Sequence, residues 1–196
     1  MTEYERIEAE MRLFTGKGDQ GKTDLLGDRV GKDDPRIGLI GALDEGTSFL
    51  GFARALSGDT RTNEWSVEVQ RDLYQIMAEL AFIDELRPDA YVLKAERVAR
   101  LEELTDTLSA EIELPRQFIV PGETVAGGAF DVARTVIRRA EREAVTLATG
   151  GTALNAEILR YLNRLSSLLF MLARLAETSE GVSAPKAKER RRLGAE

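Results

Sequence analysis

Near the start of the chain, Gly16-Lys17-Gly18-Asp19-Gln20-Gly21-Lys22-Thr23 carries the residue types and spacing that can hold an anion. Its glycines let the backbone turn and aim N–H groups at one point, and Lys17, Lys22 and, further on, Lys32 supply neutralising charge. The string satisfies G-x-x-x-x-G-K-[ST], the phosphate-binding loop. That mechanism needs a buried strand before the loop and a helix opening at the Lys-Thr. Here the preceding residues are charged, and Gly27, Gly31 and Pro35 break the DLLGDRVGKDDP that follows. The expectation is therefore an anion-binding loop outside the P-loop fold, set against the blander reading of a solvated N-terminal loop.

A second constellation lies in GAFDVARTVIRRAEREAV. With about 3.6 residues per turn, Ala129, Ala133, Val136, Ile137, Ala140 and Ala144 form one apolar stripe. Arg134, Arg138 and Glu141 stand on its flank with Asp131 one turn earlier, and Arg139 and Arg142 point further toward solvent. Two arginines at i, i+4 make a planar donor fork suited to phosphates or carboxylates. The alternative is a surface helix decorated with intrahelical ion pairs. Asn163 and Ser166 interrupt an apolar flank and must find partners, whether a ligand or a backbone carbonyl. Asp44-Glu45, set among Ile40, Leu43 and Phe49, needs a cation, for which Arg134 is the candidate.

What must position these groups is a set of helices. Apolar residues recur at three- to four-residue spacing over 36–57, over 64–85 with Asn63 as N-cap, and over 92–112, 126–148 and 153–177. Residues 114–122, bounded by proline, read as a connector, and no alternating strands are evident. The predicted fold class is all-α: a five-helix bundle over 35–178, an ordered Gly-rich N-terminal loop over 1–34, and a frayed, solvated basic tail over 179–196.

Bulk composition narrows the chemistry. The 196 residues fit one domain, and the aromatic content of 6% favours aliphatic helix packing. There is no cysteine and no histidine, so disulfides, thiolate or imidazole metal sites, Ser-His and Cys-His triads and imidazole acid–base work are excluded. A formal net charge of −7 disfavours sequence-independent nucleic-acid binding. No signal peptide or membrane-length apolar run is evident, so a cytoplasmic location is expected.

Together, FTGKGDQGKTDLLG with RVGKDD, GALDE, FIVPGET, ARTVIRRAER and YLNRLSSLLFMLAR resemble, in that order, the PduO-type ATP:cob(I)alamin adenosyltransferases, over about residues 12–177. The resemblance implies a homotrimeric five-helix bundle with each active site between two subunits. It implies ATP and cobalamin as substrates and Mg²⁺ as cofactor. An adenosylcobalamin-dependent enzyme and a reductase are the expected protein partners, with no membrane or nucleic acid. By position, Thr15, Gly18, Asp19, Gly21, Thr23 and Lys32 resemble the ATP-cradling segment, with Arg138, Glu141 and Asn163 as further ATP contacts. Lys17, Lys22 and Arg142 complete the candidate nucleotide-binding set. Asp44 and Arg134 resemble the family's inter-subunit ion pair on the cobalamin side, and Phe118 the residue beneath the corrin. The chain departs from the common pattern at Gly16-Lys17, usually Arg-Thr, and at Gly46-Thr47, usually Leu-Asn. It also carries Asp131 for the usual His and Ser167 for the usual Asp. A non-catalytic ATP or adenosylcobalamin carrier with the same bundle is the alternative reading, and a stand-alone P-loop kinase the third.

Overall fold

The computed structural model describes residue 14 and residues 16–188. Thr15 and the tail from 189 lie outside the described residues.

Local chemistry sets the helix boundaries. Helix α1 spans Pro35–Ser57. The Asp34 carboxylate accepts the Arg36 N–H at 2.8 Å, and Pro35 fills the first turn without losing a bond. Gly58, at φ 64°, ends the helix in a left-handed conformation that side chains resist. Helix α2, Thr60–Ala81, begins at once, with the Asp59 carboxylate accepting the Thr62 N–H at 2.7 Å. Asn63 is thus not the N-cap: it lies in the first turn, where its side-chain oxygen accepts from Arg54.

Hydrogen bonds from Thr62 hold the Asp59 carboxyl below the ordinary aspartate range. A carboxyl depressed in the folded state contributes stability above its unfolded pKa and loses it as the pH falls through the folded value. Asp59→Ala is therefore expected to cost about 0.5–1 kcal/mol near neutrality, the lower part of the capping range because the site is exposed. Denaturation midpoints of variant and parent should converge in acid; a gap that does not narrow removes the cap from the account.

Helix α2 stops four residues short of the predicted position 85 because Phe82 and Ile83 become extended. There the Leu26 N–H donates to the Ala81 carbonyl at 2.8 Å and the Ile83 N–H to the Leu26 carbonyl at 3.1 Å. Two short 3₁₀ turns, Asp84–Leu86 and Asp89–Tyr91, lead to α3, Ala95–Glu111. Helix α4, Val125–Thr149, is capped by the Thr124 hydroxyl, and α5, Ala156–Ser179, by the Asn155 side chain.

Strands were not expected, yet Lys22–Leu25 (β1) and Asp28–Gly31 (β2) pair antiparallel. The turn needs Gly27: at φ 108° it lies so near α2's exit that a Cβ would meet Ile83 and Leu86 at 2.8 Å. The segment after α5 also makes backbone contacts. The Val120 N–H donates to the Pro185 carbonyl at 2.9 Å and the Ala187 N–H to the Phe118 carbonyl at 2.8 Å, so 185–187 pairs with the connector at 118–120. Hydrogen exchange should find the Val120 and Ala187 amides slower than that of Lys188; solvent-like rates at both would contradict this pairing.

Helix α1 packs on α4 and α2, α4 on α5, and α5 on α3 around one aliphatic core that includes Leu39, Leu43, Leu73, Leu104, Ile137 and Leu165. Polar contacts tie α3 back to α2. Arg97 grips both Asp72 oxygens at 2.7 Å and reaches Glu68 at 2.9 Å, while Arg61 forks onto Glu111. The Tyr161 hydroxyl of α5 donates to Asp72 at 2.8 Å. Burial, reinforced by the Asp72 charge, raises the Tyr161 pKa well above its ordinary value and keeps it a donor.

Candidate functional site

The early glycine segment is folded back on itself. The Asp19 N–H reaches the Gly16 carbonyl at 3.2 Å, the Gly21 N–H the Gly18 carbonyl at 3.1 Å, and the Lys32 N–H the Gly21 carbonyl at 2.8 Å. Lys32 packs over Gly18, where a Cβ would lie 3.2 Å from its ammonium nitrogen. Arg29 donates to the Lys17 carbonyl at 2.7 Å. Lys17, Gly21, Lys22 and Lys32 are exposed and Thr23 is half-buried. A strand, not a helix, opens at Lys22-Thr23, as the rejection of the P-loop fold requires.

On α4, Arg138 is exposed, and among the described residues nothing pairs with its guanidinium. It lines a cavity of about 370 Å³ with Arg134, Ser166, Ser167 and Phe170. Arg142, one turn on, donates to the Arg138 carbonyl at 3.1 Å. Asn163 of α5 donates to Glu141 at 2.9 Å and accepts from Arg164 at 2.7 Å, and Arg164 is held by Glu102 of α3 at 2.9 Å. Asn163 thus takes a side-chain partner, whereas the Ser166 hydroxyl takes the Asn163 carbonyl. Arg139 pairs with Glu45 across α1 and α4, which raises its already high pKa.

Within the chain, Asp44 and Arg134 do not pair. Asp44 is exposed, and the Arg134 Nε donates to Asp131 at 2.9 Å. The reason is proximity: Asp131 lies three residues back on the same helix with its charge held indoors. Phe118 is 85% exposed and lines a neighbouring cavity of about 300 Å³ with Asp131, Arg134, Phe170 and Arg174. Sequence reasoning missed Arg174 and Glu177, 4% and 1% exposed, although a lone cation inside the apolar run LLFMLAR, three residues before an acid, was a usable signal.

Among the described residues, the cavity that Arg138 lines contains no residue of 16–32, and the hairpin docks at Phe82. Among the described residues, no cluster of three acidic side chains is placed to hold a metal ion. No described helix is long and apolar enough to cross a membrane.

The family model for cobalamin adenosyltransferase matches residues 13–176. The chain belongs to this family. It is 38% identical over 176 residues to the corrinoid adenosyltransferase of Bacillus subtilis, covering 88% of this chain and 90% of that one. It is 36% identical over 176 residues to the corrinoid adenosyltransferase PduO of Salmonella typhimurium, covering 89% of this chain and 52% of that longer protein. A solved structure of a variant PduO-type ATP:corrinoid adenosyltransferase from Lactobacillus reuteri, complexed with cobalamin and ATP, superposes with a TM-score of 0.83 at 31% identity. That match covers 91% of this chain and 100% of the other. The match to the family reaches into all five helices and spans the whole of the helix that carries Arg134, Arg138 and Glu141.

Proposed function

We propose that this adenosyltransferase-family chain transfers the 5′-deoxyadenosyl group of ATP to cob(I)alamin, releasing triphosphate and forming adenosylcobalamin. The observation that carries the reading is Arg138: a guanidinium without a partner among the described residues, in a cavity walled by α3, α4 and α5, on a chain that matches the family along most of its length. Cob(I)alamin is a strong nucleophile. Its cobalt bonds to C5′ while the C5′–O bond breaks, and triphosphate leaves with that electron pair. No proton need be removed, so a chain without histidine suffices. What the protein supplies is orientation and charge stabilisation of the leaving group.

In this reading Arg138, the glycine segment with Lys17, Gly18, Asp19, Gly21, Lys22, Thr23 and Lys32, and Thr15 hold the nucleotide; Glu141, Arg142 and Asn163 complete its surroundings. Magnesium fits a single carboxylate such as Glu141 together with phosphate oxygens, its common mode of binding, where it would neutralise the leaving charge. Separation of the glycine segment from Arg138 within one chain supports a homotrimer in which one protomer offers the loop and its neighbour the arginine face. Exposed Val125 and Val132 on α4 give such an interface apolar contact. Asp44 would then meet the partner-facing edge of Arg134. The cytoplasm is the proposed location, with a reductase and an adenosylcobalamin-dependent enzyme as supplier and consumer.

Incubating the protein with ATP, Mg²⁺ and chemically reduced cobalamin should give the alkyl-cobalt spectrum. ATP binding by calorimetry without that product would move the assignment to a carrier. In this reading Phe118, exposed on its paired segment, would lie beneath the corrin, where an apolar ring excludes an axial ligand and eases reduction of Co(II). Phe118→Ala should slow reduction of bound cob(II)alamin by about tenfold and leave the KM for ATP unchanged. Equal loss in both would remove Phe118 from the corrin side.

A further inference from the structure

Buried beside the Phe118 cavity is a row of alternating charge running from α5 to α4. Glu177, 1% exposed, approaches Arg174 at 2.8 Å; Arg174, 4% exposed, donates to Asp131 Oδ2 at 2.8 Å. Asp131, 4% exposed, accepts the Arg134 Nε on its other oxygen at 2.9 Å. Two acids and two guanidiniums leave the row neutral, as buried charge requires. Arg174 is pinned further by stacking over the Phe170 ring at 4.9 Å. Only Arg134 emerges from this row, its side chain 25% exposed.

Arg134 lines both the Arg138 cavity and the Phe118 cavity. It is gripped through Nε alone, and among the described residues its two terminal nitrogens have no partner. A planar guanidinium fixed at Nε presents its terminal edge in one orientation, ready for a paired contact with oxygen acceptors. An uncharged side chain at position 131 would leave the row with a surplus positive charge; a carboxylate offers one oxygen to each guanidinium and, together with Glu177, balances both.

We infer that Asp131 is a positioning residue for the corrinoid side of the reaction: braced from α5 by Arg174 and Glu177, it aims the terminal edge of Arg134 at the boundary between the two cavities. The inference rests on the assignment of Arg134 to the corrinoid side made above. Asp131 touches no substrate and acts through Arg134.

The test is a kinetic cycle on the full-length protein. Asp131→Asn keeps the shape of the side chain and leaves Arg174 its bond to Glu177, so the helix content should persist by circular dichroism at a lowered thermal midpoint. The KM for cob(I)alamin should rise about tenfold while the KM for ATP stays within about twofold. Arg134→Lys, which keeps a cation beside Asp131 but loses the planar fork, should produce the same split. The double variant should be no worse than Arg134→Lys alone, because the carboxylate has nothing left to aim. Additive losses, or equal rises in both KM values, overturn the inference. If Asp131→Asn does not fold, Asp131→His carries the same cycle with the same criteria. An Arg134→Lys variant with an unchanged corrinoid KM would overturn the assignment of Arg134 itself. A defect in Arg134→Lys that Asp131→Asn lacks would overturn the positioning role alone.

Discussion

Arg138→Ala is expected to lower kcat/KM for adenosylcobalamin formation by about 10²–10³-fold while the far-ultraviolet spectrum and thermal midpoint stay near the parent's. A donor placed where charge accumulates on a leaving group typically contributes on that scale, because it strengthens as the transition state forms. The fold has little stake in the same side chain. Arg138 is exposed, nothing among the described residues pairs with its guanidinium, and alanine is the better helix former at a solvent-facing position. Surface changes of this kind usually shift stability by no more than about 0.5 kcal/mol. A variant that turns over normally would remove Arg138 from the site, and one that melts would make it a structural residue.

Asp72→Ala is expected to cost about 3–5 kcal/mol, lowering the thermal midpoint by roughly 10 °C for a chain of this size. Asp72, 6% exposed, is the point at which three helices meet: Arg97 of α3 grips both its oxygens and the Tyr161 hydroxyl of α5 donates to one of them. Deleting the carboxylate strands a buried phenol and leaves Arg97 with Glu68 alone. Tyr161→Phe, by contrast, removes one donor and leaves the ion pair standing, so about 1 kcal/mol is expected. Chemical denaturation of both variants orders them. If the tyrosine change proves the costlier, α2 and α3 are not joined through this acid.

The helices were legible in the sequence because each carries an aliphatic stripe at helical spacing, and the glycines and prolines between them leave little freedom for other readings. Boundaries were harder. Asn63 and Asp59 are both good caps, and only the left-handed Gly58 decides in favour of the earlier one. The hairpin was hidden because strands of four residues reading KTDL and DRVG have no apolar alternation; they are held by each other and by Leu26 against Phe82. Arg134 and Arg138 were found as a pair on one flank because helical geometry alone places them there. Within the chain Arg134 pairs with Asp131 and not with Asp44; a periodicity argument puts Asp131 on the same flank but cannot report that it is buried. Arg174 was missed although its acid partner Glu177 stands three residues on; its second partner, Asp131, lies on another helix and is not local in sequence.

The pairing of 118–120 with 185–187 joins segments far apart along the chain, across two complete helices. Closing so long a loop gains little until α4 and α5 have already docked, so this strand contact is among the last to form as the protein folds. The wall that carries Phe118 therefore matures after the bundle that supports it. A population halted just short of that step would have full helix content and a normal melting profile, yet would handle nucleotide and corrinoid unequally.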